Sequence, residues 1–345
     1  MSRFAAWSRW PARALLILVA LLVAYPLIQT TAPVPKVSGS VAEDRADVLL
    51  YDHIVDQVRA GGNYYRVAAK AQREGGYPLR PFVTMRPPTL AVLQATLPNR
   101  TAVSILFWTL LATTISAWAH RLRACALPMP RVILGTLLVA GGAATLTLPE
   151  LLVWHEAWAA LLIALSLALR SDRRFSASVG VGLAAVLIRE IAIVYPLVML
   201  GVALLERRWR EAGAWTSIIL VFAAFIAWHA MQVAAVVRPD DIASPGWAAA
   251  GGWRFVVTML WLTGPWRVLP FWVASFGISL ALLGWSGWRT ATGARGALIL
   301  GGYAIAFALF GRPDNFYWGF LVAPLLPLGL LMVPKALVDL SRAAR

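Results

Sequence analysis

Asp47 sits where a carboxylate is costly to keep. Residues Asp44–Arg59 read as one helix, and at roughly 100° per residue Asp47, Tyr51, Ile54 and Val58 fall on a single stripe. Asp52, Asp56, Arg59 and Arg45 fall on another face, where water solvates them. Asp47 is therefore the carboxylate expected in a partly desolvated place. Burial raises a carboxylate's pKa and makes it a better base, and such a base can take the proton of a hydroxyl as that oxygen forms a new bond. A structural role, capping the helix or pairing with an arginine, is the alternative. Asp44, on the flank of the same stripe, is the second candidate.

Charge that builds on a leaving group needs a cation or a hydrogen-bond donor beside it. Arg86, Arg189, Arg312 and His155 are the candidates. Arg189 and Glu190 are adjacent inside an otherwise apolar run, Ala184–Leu197, and ionisable groups at membrane depth default to function. Their other readings are pairing with neighbouring helices or marking a turn between two spans. Arg312 precedes Pro313-Asp314, so it serves an anion, anchors at an interface or pairs with Asp314. His155-Glu156 invites a metal reading, but position 159 is Ala159, so the His-Glu-x-x-His pattern is broken. Of the four histidines, His120 and His229 lie elsewhere. No metal and no cofactor are expected. Glu156 is left to hold a ligand hydroxyl or to pair with Arg189 or Arg312.

These residues must be positioned by a membrane bundle. The chain has 345 residues, 60% of them hydrophobic, and its mean hydropathy is +0.70. Apolar runs long enough to cross a bilayer recur, and lipid cannot satisfy an open strand edge, so the fold class is all-α polytopic membrane protein. Hydropathy suggests about ten transmembrane helices, near 12–30, 101–119, 132–149, 157–170, 175–188, 191–205, 215–236, 268–286, 297–311 and 319–334. The net charge is +15. Its arginines alternate by loop: Arg3, Arg9 and Arg13; Arg121, Arg123 and Arg131; Arg170, Arg173 and Arg174; Arg207, Arg208 and Arg210; Arg289 and Arg295; then Lys335, Arg342 and Arg345. That alternation puts both termini in the cytoplasm and explains the basicity without nucleic acid. The lone Cys125 excludes an intramolecular disulfide. The apolar Leu15–Leu27 stretch reads as a retained signal anchor, because Thr30-Thr31-Ala32-Pro33 is a poor cleavage site.

One membrane domain, 1–345, carries two longer external segments. Residues 31–100 form the first, with a helix at Asp44–Arg59, a stop at Gly61-Gly62, Asn63 capping a helix Tyr64–Glu74, a stop at Gly75-Gly76, a Pro-rich stretch, and a short interfacial helix Thr89–Leu97. Residues 238–265 form the second, in which Trp253–Trp261 reads as an interfacial helix. Trp154, Trp158, Trp253, Trp261 and Trp318 lie at external ends and read chiefly as an interfacial belt.

The first external segment then resembles a known group. Asp47 with Tyr51 four residues on, Gly61-Gly62-Asn63-Tyr64-Tyr65, Gly76-Tyr77-Pro78 and Arg86-Pro87-Pro88 resemble the integral-membrane GT-C glycosyltransferases that use polyprenyl-phosphate sugars. The nearest branch is the bacterial one containing phosphatidylinositol-mannoside mannosyltransferases. Trp154-His155-Glu156-Ala157-Trp158, Leu187-Ile188-Arg189-Glu190 and Arg312-Pro313-Asp314-Asn315-Phe316-Tyr317-Trp318 extend the resemblance. It implies Asp47 as catalytic base, inversion at the sugar, and a substrate site drawn from Tyr51, Arg86, His155, Glu156, Arg189, Glu190, Arg312 and Asp314. It also implies a polyprenyl-phosphate-linked sugar as donor, a lipid or polysaccharide acceptor of the cell envelope, no metal in this branch, and a bacterial plasma membrane location. A transporter or lipid flippase is the competing class, although the chain lacks matched halves and its polar residues gather at one face. A non-catalytic scaffold is the third.

Overall fold

The computed structural model describes residues 2–28, 41–246 and 249–345. The side chains of 41–45 lie outside that set, and with them the roles expected of Asp44 and Arg45; so does the Thr30–Pro33 stretch. The described chain is helical, and its one bridge outside helices joins Arg80 to Ala243. In chain order the α-helices are α1 (Arg9–Ile28), α2 (Val41–Arg59), α3 (Tyr64–Glu74), α4 (Thr89–Thr96), α5 (Arg100–Ala124), α6 (Met129–Ala144), α7 (His155–Leu169) and α8 (Ser176–Ile188). There follow α9 (Val194–Leu205), α10 (Trp209–Ala234), α11 (Gly252–Thr263), α12 (Phe271–Gly287), α13 (Ala291–Phe310) and α14 (Val333–Ala343).

Five of these, α1, α5, α6 with the turn that extends it, α10 and α13, are long and apolar enough to cross a membrane. A sixth is added if the bent pair Pro313–Val322 and Leu326–Ala343, 53° apart, counts as one span. The expected spans at 157–170, 175–188, 191–205 and 268–286 fall on shorter apolar helices. The 13 residues of α8 rise only about 20 Å, against a hydrocarbon thickness of about 30 Å. For α7 the apolarity has another source. Thirteen of the 15 residues of α7 are buried, so this helix is apolar on every side because it is wrapped by protein.

Close backbone contact holds the bundle. A Cβ on Gly284 of α12 would lie 1.9 Å from the Gly329 carbonyl oxygen, and one on Gly142 of α6 would lie 2.3 Å from that of Ala323. Small residues let helix backbones touch in this way, which is how membrane bundles gain packing contact. Indole donors tie across the same layer: Trp118 Nε1 donates to the Ala164 carbonyl at 3.0 Å and Trp285 Nε1 to that of Leu325 at 2.9 Å.

The two ends of the bundle differ. The arginine-bearing loops are knitted together at one end, where Arg121 donates to the Ala168 carbonyl at 2.7 Å and Arg170 and Arg208 both bind Glu211. Arg295 binds Glu206 there, Ser2 N donates to Asp339, and Arg3 reaches the Trp288 carbonyl, so both terminal segments lie with the basic loops.

The opposite end carries α2, α3 and α4. Asn63 Oδ1 caps α3 by accepting from Arg66 N at 3.2 Å, and Gly61 and Gly76 take φ of +93° and +71°, which accounts for glycine at both helix stops. The loop after α10 docks onto this segment. The Ile242 carbonyl accepts from Leu79 N at 2.9 Å, Ser244 N donates to the Arg80 carbonyl at 2.7 Å, and Arg73 binds Asp241 at 2.6 Å.

Two expectations change here. The Trp253–Trp261 helix, expected to rest on the membrane surface, packs its middle into the bundle: Phe255 to Leu260 are all buried in α11. At its start it is tied to α1, with Trp253 Nε1 donating to the Leu22 carbonyl at 2.7 Å and Arg254 bonding the Pro26 carbonyl. Trp154, Trp158 and Trp318 are likewise buried, not a belt; among the described residues the exposed tryptophans are Trp10, Trp108, Trp209, Trp228 and Trp272.

Candidate functional site

A cavity of about 430 Å³ opens between α2, the chain after α3, the turn between α8 and α9, and the segment after α13. This lies within the usual range for small-molecule sites. Asp47, Tyr51, Arg86, Arg189, Glu190, Arg312 and Asp314 all line it. A small recess below it is lined by Asp47, Tyr51, Arg86, Trp154, His155, Glu156 and Tyr317. The residues singled out along the sequence thus converge from five separate parts of the chain.

Asp47 reaches the cavity because α2 buries Ile54 and leaves Asp47 and Tyr51 half-buried on the same stripe. Tyr77, from the turn after α3, donates its hydroxyl proton to Asp47 Oδ1 at 2.6 Å. Asp52 and Asp56 face away: Asp52 binds Arg100 and Asp56 binds Arg59, both at 2.6 Å. Tyr51 packs edge-on to His155 with ring centroids 5.6 Å apart. Burial is the main cause that pushes its hydroxyl up to about 12, so it remains a neutral donor at physiological pH.

Beneath Asp47 lies an ionic floor. Arg189 ends α8, and Glu190 opens the turn into α9, so this pair does mark a turn between two apolar helices while also facing the cavity. Arg189 Nε donates to Glu156 Oε1 at 2.6 Å, and Arg189 also bonds Glu190. Arg86 approaches the same carboxylates less closely, 3.8 Å from Glu156 and 4.0 Å from Glu190. Its Nη2 donates to the Tyr317 hydroxyl at 3.0 Å, and its guanidinium lies 5.5 Å from that ring's centre. Burial alone would lower the Arg86 pKa, but the phenols of Tyr51 and Tyr317 and the carboxylates of Glu156 and Glu190 hold it above the ordinary value. Arg86 therefore stays charged, with N–H donors not committed to a carboxylate in hydrogen-bonding range.

Arg312 is more fully engaged. It binds Asp314 at 2.6 Å and donates to Ser244 Oγ at 3.1 Å and the Pro245 carbonyl at 2.7 Å. It ties the loop after α10 to the segment after α13, and so shapes the wall of the cavity. Three arginines, 86, 189 and 312, face four carboxylates, 47, 156, 190 and 314, so the site carries no surplus of positive charge. Among the described residues no three His, Cys, Asp or Glu side chains group as metal ligands.

The lining also contains two polar residues that reading the chain did not single out, Gln72 and Asn315, beside Glu190 and His155, which it did. Gln72 Oε1, Glu190 Oε2 and Asn315 Oδ1 are buried acceptors with no hydrogen-bond partner among the described residues. Neither ring nitrogen of His155 meets a partner in hydrogen-bonding geometry there either. Buried polar atoms are normally paired, so such a concentration marks a place that water or a ligand completes. Gln72 was legible as a polar residue in register with Tyr65 and Ala68 on the buried face of α3. Asn315, Tyr317 and the hydroxyl of Tyr77 belong to motifs already noted, but their roles depend on what faces them.

No protein-family model matches the chain, and comparison with curated proteins and with solved structures finds no match.

Proposed function

We propose that the protein is a membrane glycosyltransferase that moves a sugar from a polyprenyl-phosphate donor to a hydroxyl of a cell-envelope acceptor, with inversion. One observation carries this reading. A single cavity holds a carboxylate, Asp47, together with Arg86 and three acceptor oxygens, on Gln72, Glu190 and Asn315, that have no partner among the described residues. A polyol offers many hydroxyl donors, and unpaired acceptors beside a cavity suit it. In the reaction Asp47 takes the acceptor hydroxyl's proton as its oxygen bonds to the anomeric carbon. The bond from that carbon to the donor phosphate oxygen breaks, and its electron pair leaves on the polyprenyl phosphate. Arg86 stabilises that charge through directed N–H donors, since the net charge of the site does not favour an anion. Glu156, Arg189, Arg312 and Asp314 hold the walls.

The same reading includes about ten apolar helices, the four shorter ones sitting within the bundle. It places the basic end with both termini in the cytoplasm, and the cavity on the periplasmic face of a bacterial plasma membrane. The test is transfer of labelled sugar from a polyprenyl-phosphate donor by membranes containing wild type or Asp47→Asn at equal expression. Transfer by wild type, reduced by roughly 10²–10⁴ in the variant, is the expected result. Equal transfer by both removes Asp47 from the mechanism. Solute accumulation by vesicles without any sugar transfer replaces the reading with a transporter.

A further inference from the structure

A second polar recess lies away from the cavity, where α3 crosses the end of α10. It is an open cleft of about 620 Å³ walled by Arg66, Lys70 and Arg73 on one side and Val236, Val237 and Arg238 on the other. Arg66, Lys70 and Arg73 repeat at intervals of four and three residues, so they line one face of α3. Glu74 is the acidic residue of the cleft and stands 3.9 Å from Lys70. Arg73 is occupied by Asp241 and the Val236 carbonyl. Arg66 and Arg238 are exposed, and among the described residues their guanidinium groups meet no carboxylate within ion-pair distance.

Position decides what this charge is for. The cleft begins at Ala235, immediately after α10, a helix long and apolar enough to span a membrane. Trp228, Met231 and Ala235 share one exposed stripe of the chain leading up to it, and Tyr65 of α3 packs edge-on to Trp228 with centroids 5.7 Å apart. An exposed tryptophan near a helix end marks headgroup level. The cleft therefore presents Arg66 and Arg238, which pair with no carboxylate among the described residues, next to an apolar track.

We propose that this cleft binds one anionic phospholipid of the surrounding leaflet, the phosphate between Arg66, Lys70 and Arg238 and an acyl chain along the Trp228–Met231 stripe. A soluble anion matches the cations but not the track, and a neutral lipid matches the track but not the cations. The site is separate from the cavity and stands whether or not the protein transfers sugar. It also braces that cavity, because Arg73 joins the cleft to Asp241, and Ser244 of the same loop lines the cavity wall.

The experiment measures phosphatidylglycerol retained by detergent-purified full-length protein by intact-complex mass spectrometry, with phosphatidylcholine and inorganic phosphate as comparison probes. Wild type is set against the combined variant Arg66→Gln, Lys70→Gln, Arg238→Gln, leaving Arg73 in place for its structural bridge. A second variant, Arg173→Gln, Arg174→Gln, Arg207→Gln, controls for the basic loops at the other end. The expected result is one phosphatidylglycerol held by wild type and by the loop control, with affinity lowered roughly ten- to hundred-fold in the cleft variant. The variant residues are exposed, so an unchanged unfolding temperature accompanies that loss. Equal retention by wild type and cleft variant overturns the proposal. So does loss in the loop control alone, equal retention of phosphatidylcholine, or displacement of the lipid by millimolar inorganic phosphate.

Discussion

Tyr77 donates to Asp47 Oδ1 at 2.6 Å across a gap of thirty residues, so the proposed base is oriented by the turn that ends α3. A hydrogen bond to a charged acceptor is worth about 1.5–3 kcal/mol. Removing it by Tyr77→Phe takes away one contact that positions the carboxylate toward an acceptor hydroxyl. The expected effect is a fall in kcat of roughly ten- to hundred-fold, smaller than that of Asp47→Asn, with KM for the donor little changed. Full activity in Tyr77→Phe would show that Asp47 does not depend on this contact.

Arg189 and Glu156 form a buried pair, with side chains 1% and 2% exposed. Breaking such a pair by removing one partner costs about 3–5 kcal/mol, because the other is stranded away from water. Arg189→Met strands Glu156 and Glu190 together, with only Arg86 nearby at 3.8 and 4.0 Å. Arg189→Met should lower the thermal unfolding temperature of the detergent-solubilised protein sharply. The double variant Arg189→Met, Glu156→Gln should recover part of the loss. If the single variant unfolds like wild type, the floor of the cavity is not held by this pair.

The Arg73–Asp241 bridge makes a prediction about acid. The hydrogen bond from Arg73 is the main cause that holds Asp241 down to about 2, below its ordinary 3.8. A depressed folded-state pKa means the contribution is complete above the unfolded value and declines as pH falls from about 4 to about 2. Wild type should therefore lose stability over that window more steeply than Asp241→Asn, which is less stable at pH 7 to begin with. Unfolding temperatures of the two proteins should converge toward pH 2. Parallel curves would exclude the bridge as the source.

Local rules carried much of the fold. The Asn63 cap, the glycine stops and the stripe on α2 depend on neighbours within a turn or two, so they were legible before any packing was known. The span count was not. A helix wrapped in protein and one wrapped in lipid show the same apolar surface, so the sequence reads α7, buried along nearly its whole length, as it reads the long apolar helix α1. The cavity was legible only as a set of misplaced charges. Arg189, Glu190 and Glu156 stood out because apolar runs do not keep ions without reason. Gln72 and Asn315 are neutral, and only the fold reveals that their oxygens lack partners.

Gly284 and Gly329 are where backbone meets backbone. A Cβ at 284 would lie 1.9 Å from the Gly329 oxygen, and one at 329 would lie 2.0 Å from the Ala281 oxygen. Neither obstacle is a movable side chain. Gly284→Ala should force α12 away from the Leu326–Met332 segment, at the upper end of the usual 1–3 kcal/mol for overpacking or beyond. Gly301→Ala is the control, since nothing lies within 4 Å of a Cβ there. Reduced yield and melting temperature for Gly284→Ala, with a neutral Gly301→Ala, would confirm the contact; equal behaviour would refute it.

Arg86 separates charge from geometry. Its guanidinium is held by the Tyr317 hydroxyl at 3.0 Å, while the Tyr64 hydroxyl donates to its backbone carbonyl at 2.6 Å. The backbone anchor survives substitution of the side chain, so the loop should keep its course in Arg86→Gln and Arg86→Lys. A donor aimed at charge that develops only as the leaving group departs acts on the transition state, and losing one such donor typically lowers kcat by about 10²–10³. Arg86→Gln should fall by that much in kcat with KM for the donor less affected. Arg86→Lys should recover only part, because an ammonium keeps the charge but cannot present two parallel N–H groups. Tyr317→Phe removes the partner without the charge and should cost less than either. If Arg86→Gln instead raises KM with kcat unchanged, Arg86 binds the donor uniformly and the leaving phosphate is stabilised elsewhere in the cavity.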